Sequence, residues 1–174
     1  MRILKILIIL SLTVIFSESC RKIQQLPDVP GIKFTSFAVF DTTDILGNNC
    51  KGGRLKFYFE DGDGDLGLNP AEAESGETDT TNLFLTLFRK TGGIMVRVPD
   101  NDPMKPSSYR IPYMERTGRN KILKGTIAVT FLYLFYDPVN SDTIKYDFYI
   151  KDRAKNISNT ASTSEIALSV NDVY

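Results

Sequence analysis

Apolar residues recur at every second position in several separated stretches of this chain, and that period commits it to sheet. Leu55, Phe57 and Phe59 alternate with Lys56, Tyr58 and Glu60, and Tyr146, Phe148 and Ile150 alternate with Lys145, Asp147 and Lys151. Successive side chains of a strand point to opposite faces, so such a run has one face to bury and one to wet. Between Asn82 and Lys90 the set Leu83, Leu85, Leu87 alternates with Phe84, Thr86, Phe88. Both faces are then largely apolar, which predicts a strand inside a sheet. Ile32 to Phe40 is rich in β-formers, and Thr91-Gly92-Gly93 turns the chain into Ile94 to Val98 with the signature of a hairpin.

The remaining segments extend the pattern. Residues 99–107 carry Pro99, Pro103 and Pro106 and read as a loop. Tyr109 to Tyr113 reads as a short edge strand, since Pro112 cannot donate to a ladder on both sides. A turn at Thr117 to Asn120 leads to a long β-rich segment, Ile122 to Tyr136, which Gly125 is expected to bend or bulge. A turn over Asp137 to Asp142 precedes the 146–150 alternation, and a last strand runs from about Thr160 to Val170. No stretch has a helical period. Seven to eight short strands without repeats predict an all-β chain, folded as a single antiparallel β-sandwich over residues 32–174. Phe57, Phe59, Leu85, Leu87, Phe148 and Ile150 are its expected core.

Tyr146-x-Phe148-x-Ile150-x-Asp152, followed by Ala154, Asn156, Ser158 and Asn159, resembles the last hairpin of bacterial immunoglobulin-like and fibronectin-type-III-like domains. The resemblance implies an immunoglobulin-like sandwich. Taken by themselves, Asp152 and Asn156 are turn residues that cap their own backbone.

The chain opens with Arg2 and Lys5, then an apolar run from Ile6 to Phe16, then Ser17-Glu18-Ser19-Cys20. These are the parts of a secretory signal peptide, and the run is shorter than the roughly twenty apolar residues needed to span a bilayer. A cysteine directly after the cut resembles the bacterial lipoprotein class, in which that residue is acylated and becomes the mature N-terminus. Residues 1–19 are then the signal peptide, Cys20 the lipidation site, and residues 20–31 a proline-marked tether to the domain. Ser17 and Ser19 also suit an ordinary signal peptidase, which would cut the same bond and secrete the chain without lipid. With no acidic run after Cys20, the expected location is the bacterial outer membrane, facing the periplasm.

Removing residues 1–19 takes away two basic residues and one acid, leaving a mature balance of about −1. A near-neutral chain lacks the concentrated basic surface that nucleic acid requires, so no nucleic-acid partner is expected. The chain has no histidine, which removes the commonest general base and nearly all familiar zinc and iron sites. It also has no tryptophan, the residue that often forms carbohydrate-stacking faces. Of its two cysteines, Cys50 loses its only intrachain partner once Cys20 is acylated. It lies in a turn-like stretch, Gly47 to Gly53, and is expected to be a buried thiol.

Residues 60–79 hold eight acids and no Lys or Arg. A closed domain that concentrates charge in this way needs a cation or a basic partner to relieve the repulsion. The centre of the stretch is Asp61-Gly62-Asp63-Gly64-Asp65-Leu66-Gly67-Leu68. Carboxylates at alternate positions, with glycines between them, can curl around a hard cation that takes oxygen ligands, as calcium does. Against the calcium-loop pattern, Asp61, Asp63 and Asp65 fill the first, third and fifth places, Leu68 the eighth and Glu72 the twelfth; Leu66 stands where that pattern has its turn glycine. The expected metal ligands are therefore Asp61, Asp63, Asp65 and Glu72. The same residues also suit a glycine-rich turn whose Asp side chains bond local N–H groups. A third possibility is a hydrolase using a carboxylate pair, which a soft loop would hold poorly.

The leader ending in Cys20, the strand running into Asp-Gly-Asp-Gly-Asp-Leu-Gly, Arg110 to Tyr113 (Arg-Ile-Pro-Tyr) and Asp152 to Asn156 (Asp-Arg-Ala-x-Asn) together resemble small lipoproteins of Bacteroidota-type bacteria. The resemblance implies location and a sandwich fold, and carries no activity with it. The expectation is a membrane-anchored envelope lipoprotein without enzymatic activity, a binding or structural module stabilised by calcium. Its partners are the bilayer, through the lipid on Cys20, and an envelope protein or glycan. The alternative is an envelope glycan-active hydrolase using the carboxylates of the acidic loop.

Overall fold

The structure, a computed structural model, describes residues 26–68, 80–115, 121–139 and 142–174. The expected signal peptide, Cys20, the first part of the tether and Glu72 lie outside the described residues. Eight strands and no helix occur among those described: β1 Gly31–Thr43, β2 Asn49–Asp61, β3 Leu83–Thr91, β4 Ile94–Arg97, β5 Leu123–Tyr133, β6 Thr143–Ile150, β7 Ala161–Ser162 and β8 Ile166–Ala167. They form two antiparallel sheets. One has the order β1-β2-β5; the other runs β4-β3-β6-β7, with β8 also on β6.

The two sheets share one core, and the period-two runs build it. The inward positions of β2 (Leu55, Phe57, Phe59) and of β6 (Ile144, Tyr146, Phe148, Ile150) are all buried. Rings bridge the layers: Phe57 meets Phe148 at 5.2 Å between centroids, and Phe37 meets Tyr146 at 5.9 Å. Leu87 is buried as expected, whereas Leu85 is half-buried and packs against the margin of the core. β3 is an interior strand, flanked by β4 and β6, and its second apolar face is used by Phe84, which stacks on Tyr149 at 5.0 Å.

Five sequence expectations need correction. The stretch from Asn49 to Gly53 is strand, not turn; the turn is confined to residues 44–48, where Asp44 accepts from the backbone N–H of Leu46 and Asn48. Gly52 and Gly53 are in the strand because rings occupy the space a side chain would need, that of Phe40 over Gly52 and those of Phe37 and Tyr133 over Gly53. Cys50 is accordingly a half-buried strand residue with a free thiol. Gly125 makes no bulge: β5 stays in register with β2 from Leu123 to Tyr133, and the irregularity falls instead in β1 between Phe34 and Ser36. Residues 109–112 make single bridges, Tyr109 to Leu83 and Pro112 to Leu68, and no ladder. The expected last strand is divided into β7 and β8.

The C-terminus completes the first sheet. Tyr174 and Phe37 exchange backbone hydrogen bonds (2.8 and 2.9 Å) and Val39 N–H donates to Asp172 at 2.8 Å, so the tail runs along the outer edge of β1. Near the start of β1, the Asn159 side chain both accepts from Ile32 N–H and donates to Ile32 C=O, at 2.9 Å each.

Candidate metal centre

The acidic loop begins where β2 ends, and the strand period places its first carboxylate. Leu55, Phe57, Phe59 and Asp61 are successive inward positions, so Asp61 is carried inside with the apolar residues before it and is 0% exposed. Its Oδ2 accepts the Leu66 N–H at 2.8 Å, closing a turn over residues 61–66. Leu66 and Leu68 are both buried and hold the far side of the loop in the protein interior. This accounts for a leucine where the calcium-loop pattern has glycine: at this position the chain plugs the core.

The loop is fastened on three sides. Gly62 N–H donates to Pro27 C=O at 3.0 Å, and a Cβ at Gly62 would collide with the carbonyls of Leu26 and Pro27. Leu68 N–H donates to Ile111 C=O at 3.0 Å, while Gly67, at φ +93°, lies against the Pro112 carbonyl, where a side chain has no room. On the third side stands the turn after β6. Asp65 Oδ2 accepts Ala154 N–H at 2.9 Å, and Arg153 Nη1 donates to Gly67 C=O at 2.7 Å with its guanidinium 5.1 Å from the Tyr113 ring centre. The turn is self-capped as its residue types imply: Asp152 accepts from the N–H and side-chain amide of Asn156 (2.7 and 2.9 Å), with Lys155 at φ 73°. Sequence reasoning found both motifs but not that one buttresses the other. The expected soft loop is a braced one.

Bracing brings the carboxylates together. One oxygen from each of Asp61, Asp63 and Asp65 lies within 4.8 Å of the others. Oδ1 of Asp61 and Oδ1 of Asp65 are buried without a hydrogen-bond donor, an arrangement that costs free energy in a bare protein. Burial, more than any other influence, pushes the Asp61 carboxyl up to about 6; the Leu66 N–H pulls it down, and the neighbouring Asp63 and Asp65 add to the rise. Asp65 is raised too, first by burial, then by the charges of Asp152 and Asp63, against the pull of the Ala154 N–H and Arg153. Three acceptors converging in a partly desolvated site suit a small hard cation with oxygen ligands. Glu72, the fourth expected ligand, lies outside the described residues.

Compared with protein-family models, curated proteins and solved structures, the chain matches none.

Proposed function

We propose that this chain is a lipid-anchored envelope lipoprotein whose immunoglobulin-like sandwich serves as a non-enzymatic binding or structural module. In this proposal the loop from Asp61 to Leu68 takes calcium, which ties the tether side of the domain to the turn after β6. The observation that carries it is the convergence of Asp61, Asp63 and Asp65 around a fully buried Asp61. A cation there would supply the missing partners for the orphaned oxygens and remove the repulsion. Strand order supports the immunoglobulin-like assignment: β1-β2-β5 against β4-β3-β6-β7 follows the immunoglobulin arrangement, with strands A, B and E in one sheet and C′, C, F and G in the other. A binding role is favoured by exposed Ile45, Leu46, Leu134 and Phe135, apolar groups at the end of the first sheet away from Gly31, which an envelope protein or glycan would cover.

A hydrolase built on the same residues would need carboxyls about 5–9.5 Å apart with substrate between them. Oxygens within 4.8 Å of one another fit a shared cation better.

Calcium titration followed by thermal unfolding tests the site. A cation that binds only the folded state stabilises it by about 2.7 kcal/mol at a hundredfold excess over its dissociation constant. The melting temperature is expected to rise with calcium up to millimolar levels and fall with chelator. The Asp63→Asn/Asp65→Asn double variant should lose that response. A wild-type melting temperature indifferent to calcium across that range would remove the metal from the proposal.

A further inference from the structure

The fold protects the sheet edges of the described residues, with one exception. The C-terminal tail covers the outer edge of β1, which is also bulged. In the second sheet β4 has four residues, and β7 and β8 have two each. Short strands, bulges and covering segments are the usual means of preventing one sheet from pairing with another. β5 has none of them. It runs eleven residues in unbroken register with β2, contains no proline, and carries one charge, Lys124. Among the described residues no strand pairs with its other side, and no backbone hydrogen bond from another segment reaches it.

A groove of about 350 Å³ runs beside this edge. It is lined by Ile127 and Val129 of β5 and, from the opposite layer, by Leu83, Tyr109, Ile111 and Met114. The segment around residues 109–114 thus lies where the first sheet is too narrow to cover it. A strand added beside β5 would widen that sheet and close the groove with its own inward side chains.

The sequence of β5 indicates which strand fits. We propose that β5 pairs antiparallel with β5 of a second copy of the chain, about a two-fold axis through Ala128. Leu123 to Tyr133 is centred on Ala128, so the whole strand pairs without overhang. On the exposed face Thr126 then meets Thr130, and Lys124 meets Leu132, so the one charge never faces itself. On the inward face Ile127 meets Val129, two β-branched residues, while Gly125 falls opposite Phe131, whose ring stays in the core stack. The two three-stranded sheets become one of six strands, an isologous interface of the kind that closes at a dimer.

Cysteine cross-linking on the full chain in membranes tests the register. Facing residues in an antiparallel pair have Cα atoms about 4.5–5.5 Å apart, within the range a disulfide spans. In a Cys50→Ser background, with Cys50→Ser alone as the control for any link through Cys20, Ala128→Cys should give a disulfide-linked species of twice the mass on mild oxidation. Thr126→Cys should not, because its symmetry mate lies four residues, about 13 Å, along the strand. Thr126→Cys and Thr130→Cys chains made together should cross-link to each other. All three sites are exposed, so these substitutions leave the core untouched. Independently, the unsubstituted chain in mild detergent should sediment as a dimer and Ala128→Lys as a monomer. An unsubstituted chain that stays monomeric at tens of micromolar overturns the proposal. So does equal cross-linking at positions 126 and 128, or capture of a different protein's strand by β5 without self-cross-linking.

Discussion

Asp61 is the residue at which fold and chemistry meet most directly. A carboxyl pushed from 3.8 to about 6 binds its proton more tightly in the folded than in the unfolded state. Between those values the folded protein carries more protons, so stability falls as pH rises through that window. The difference corresponds to roughly 3 kcal/mol of destabilisation at neutral pH in the absence of a cation. Asp61→Asn keeps an acceptor for the Leu66 N–H and removes the charge. In chelator at pH 7.5 the variant should melt several degrees above wild type, at about 2–4 °C per kcal/mol for a domain of this size, and the two should converge near pH 4. The variant should also cease to respond to calcium. Gly53 is sensitive for a different reason. A Cβ there would stand 2.5 Å from the Phe37 ring and 2.8 Å from Tyr133. Those rings belong to a stack in which Phe37 lies 6.1 Å from Phe131 and 5.9 Å from Tyr146. Gly53→Ala should cost about 1–3 kcal/mol in a denaturant titration.

At the scale of elements, the loop after β2 and the turn after β6 act as one unit. Arg153 joins them through its hydrogen bond to Gly67 C=O and its position over Tyr113. A hydrogen bond from a charged donor contributes about 1.5–3 kcal/mol, and exposed stacking on an aromatic ring somewhat less. Both act on the loop and not on the core. Arg153→Gln should therefore lower the melting temperature in chelator by several degrees, at about 2–4 °C per kcal/mol, and weaken calcium binding by on the order of tenfold, measured by titration calorimetry. Loss of stability with calcium affinity unchanged would mean that Arg153 supports the domain without shaping the site. The self-capped turn explains how the unit keeps its shape: Asp152 is buried, and both its oxygens are engaged by Asn156.

For the whole molecule, the path of the chain near β1 sets how the domain would hang from a membrane. Leu26 and Pro27 lie against Gly62, so the expected tether reaches the domain beside the acidic loop. The turn at residues 44–48 lies at the opposite end of β1 and β2, about 40 Å away for strands of thirteen residues. A lipid on Cys20 would thus hold the candidate metal site near the bilayer and present the apolar tip away from it. Cys20→Ala should move the protein from the membrane to the soluble fraction with its melting curve unchanged. A wild-type protein recovered soluble with an unmodified N-terminus would count against the anchor.

The sequence by itself determined the class of fold and the faces that β2 and β6 bury. The period of two in residues 55–59, 83–88 and 146–150 is a local property of the backbone, and no tertiary arrangement can reverse which residues share a side. It also marked the three aspartates, because their spacing and the lack of neighbouring bases are visible along the chain. Only the tertiary structure decided the rest. Gly52 and Gly53 read as turn residues until rings from β1 and β5 are seen to fill the space above them. Asp152 and Asn156 read as an isolated cap until the fold brings their turn, through Arg153 and Ala154, beside Asp65 and Gly67, more than eighty residues earlier. Which edge of the sheet lacks a partner among the described residues is likewise invisible along the chain, since it depends on where the C-terminal tail and residues 109–112 come to rest. Contacts of that kind are set by how the layers pack. The residues that make them carry no periodic signal, because each is chosen to fit one partner and not a repeating surface.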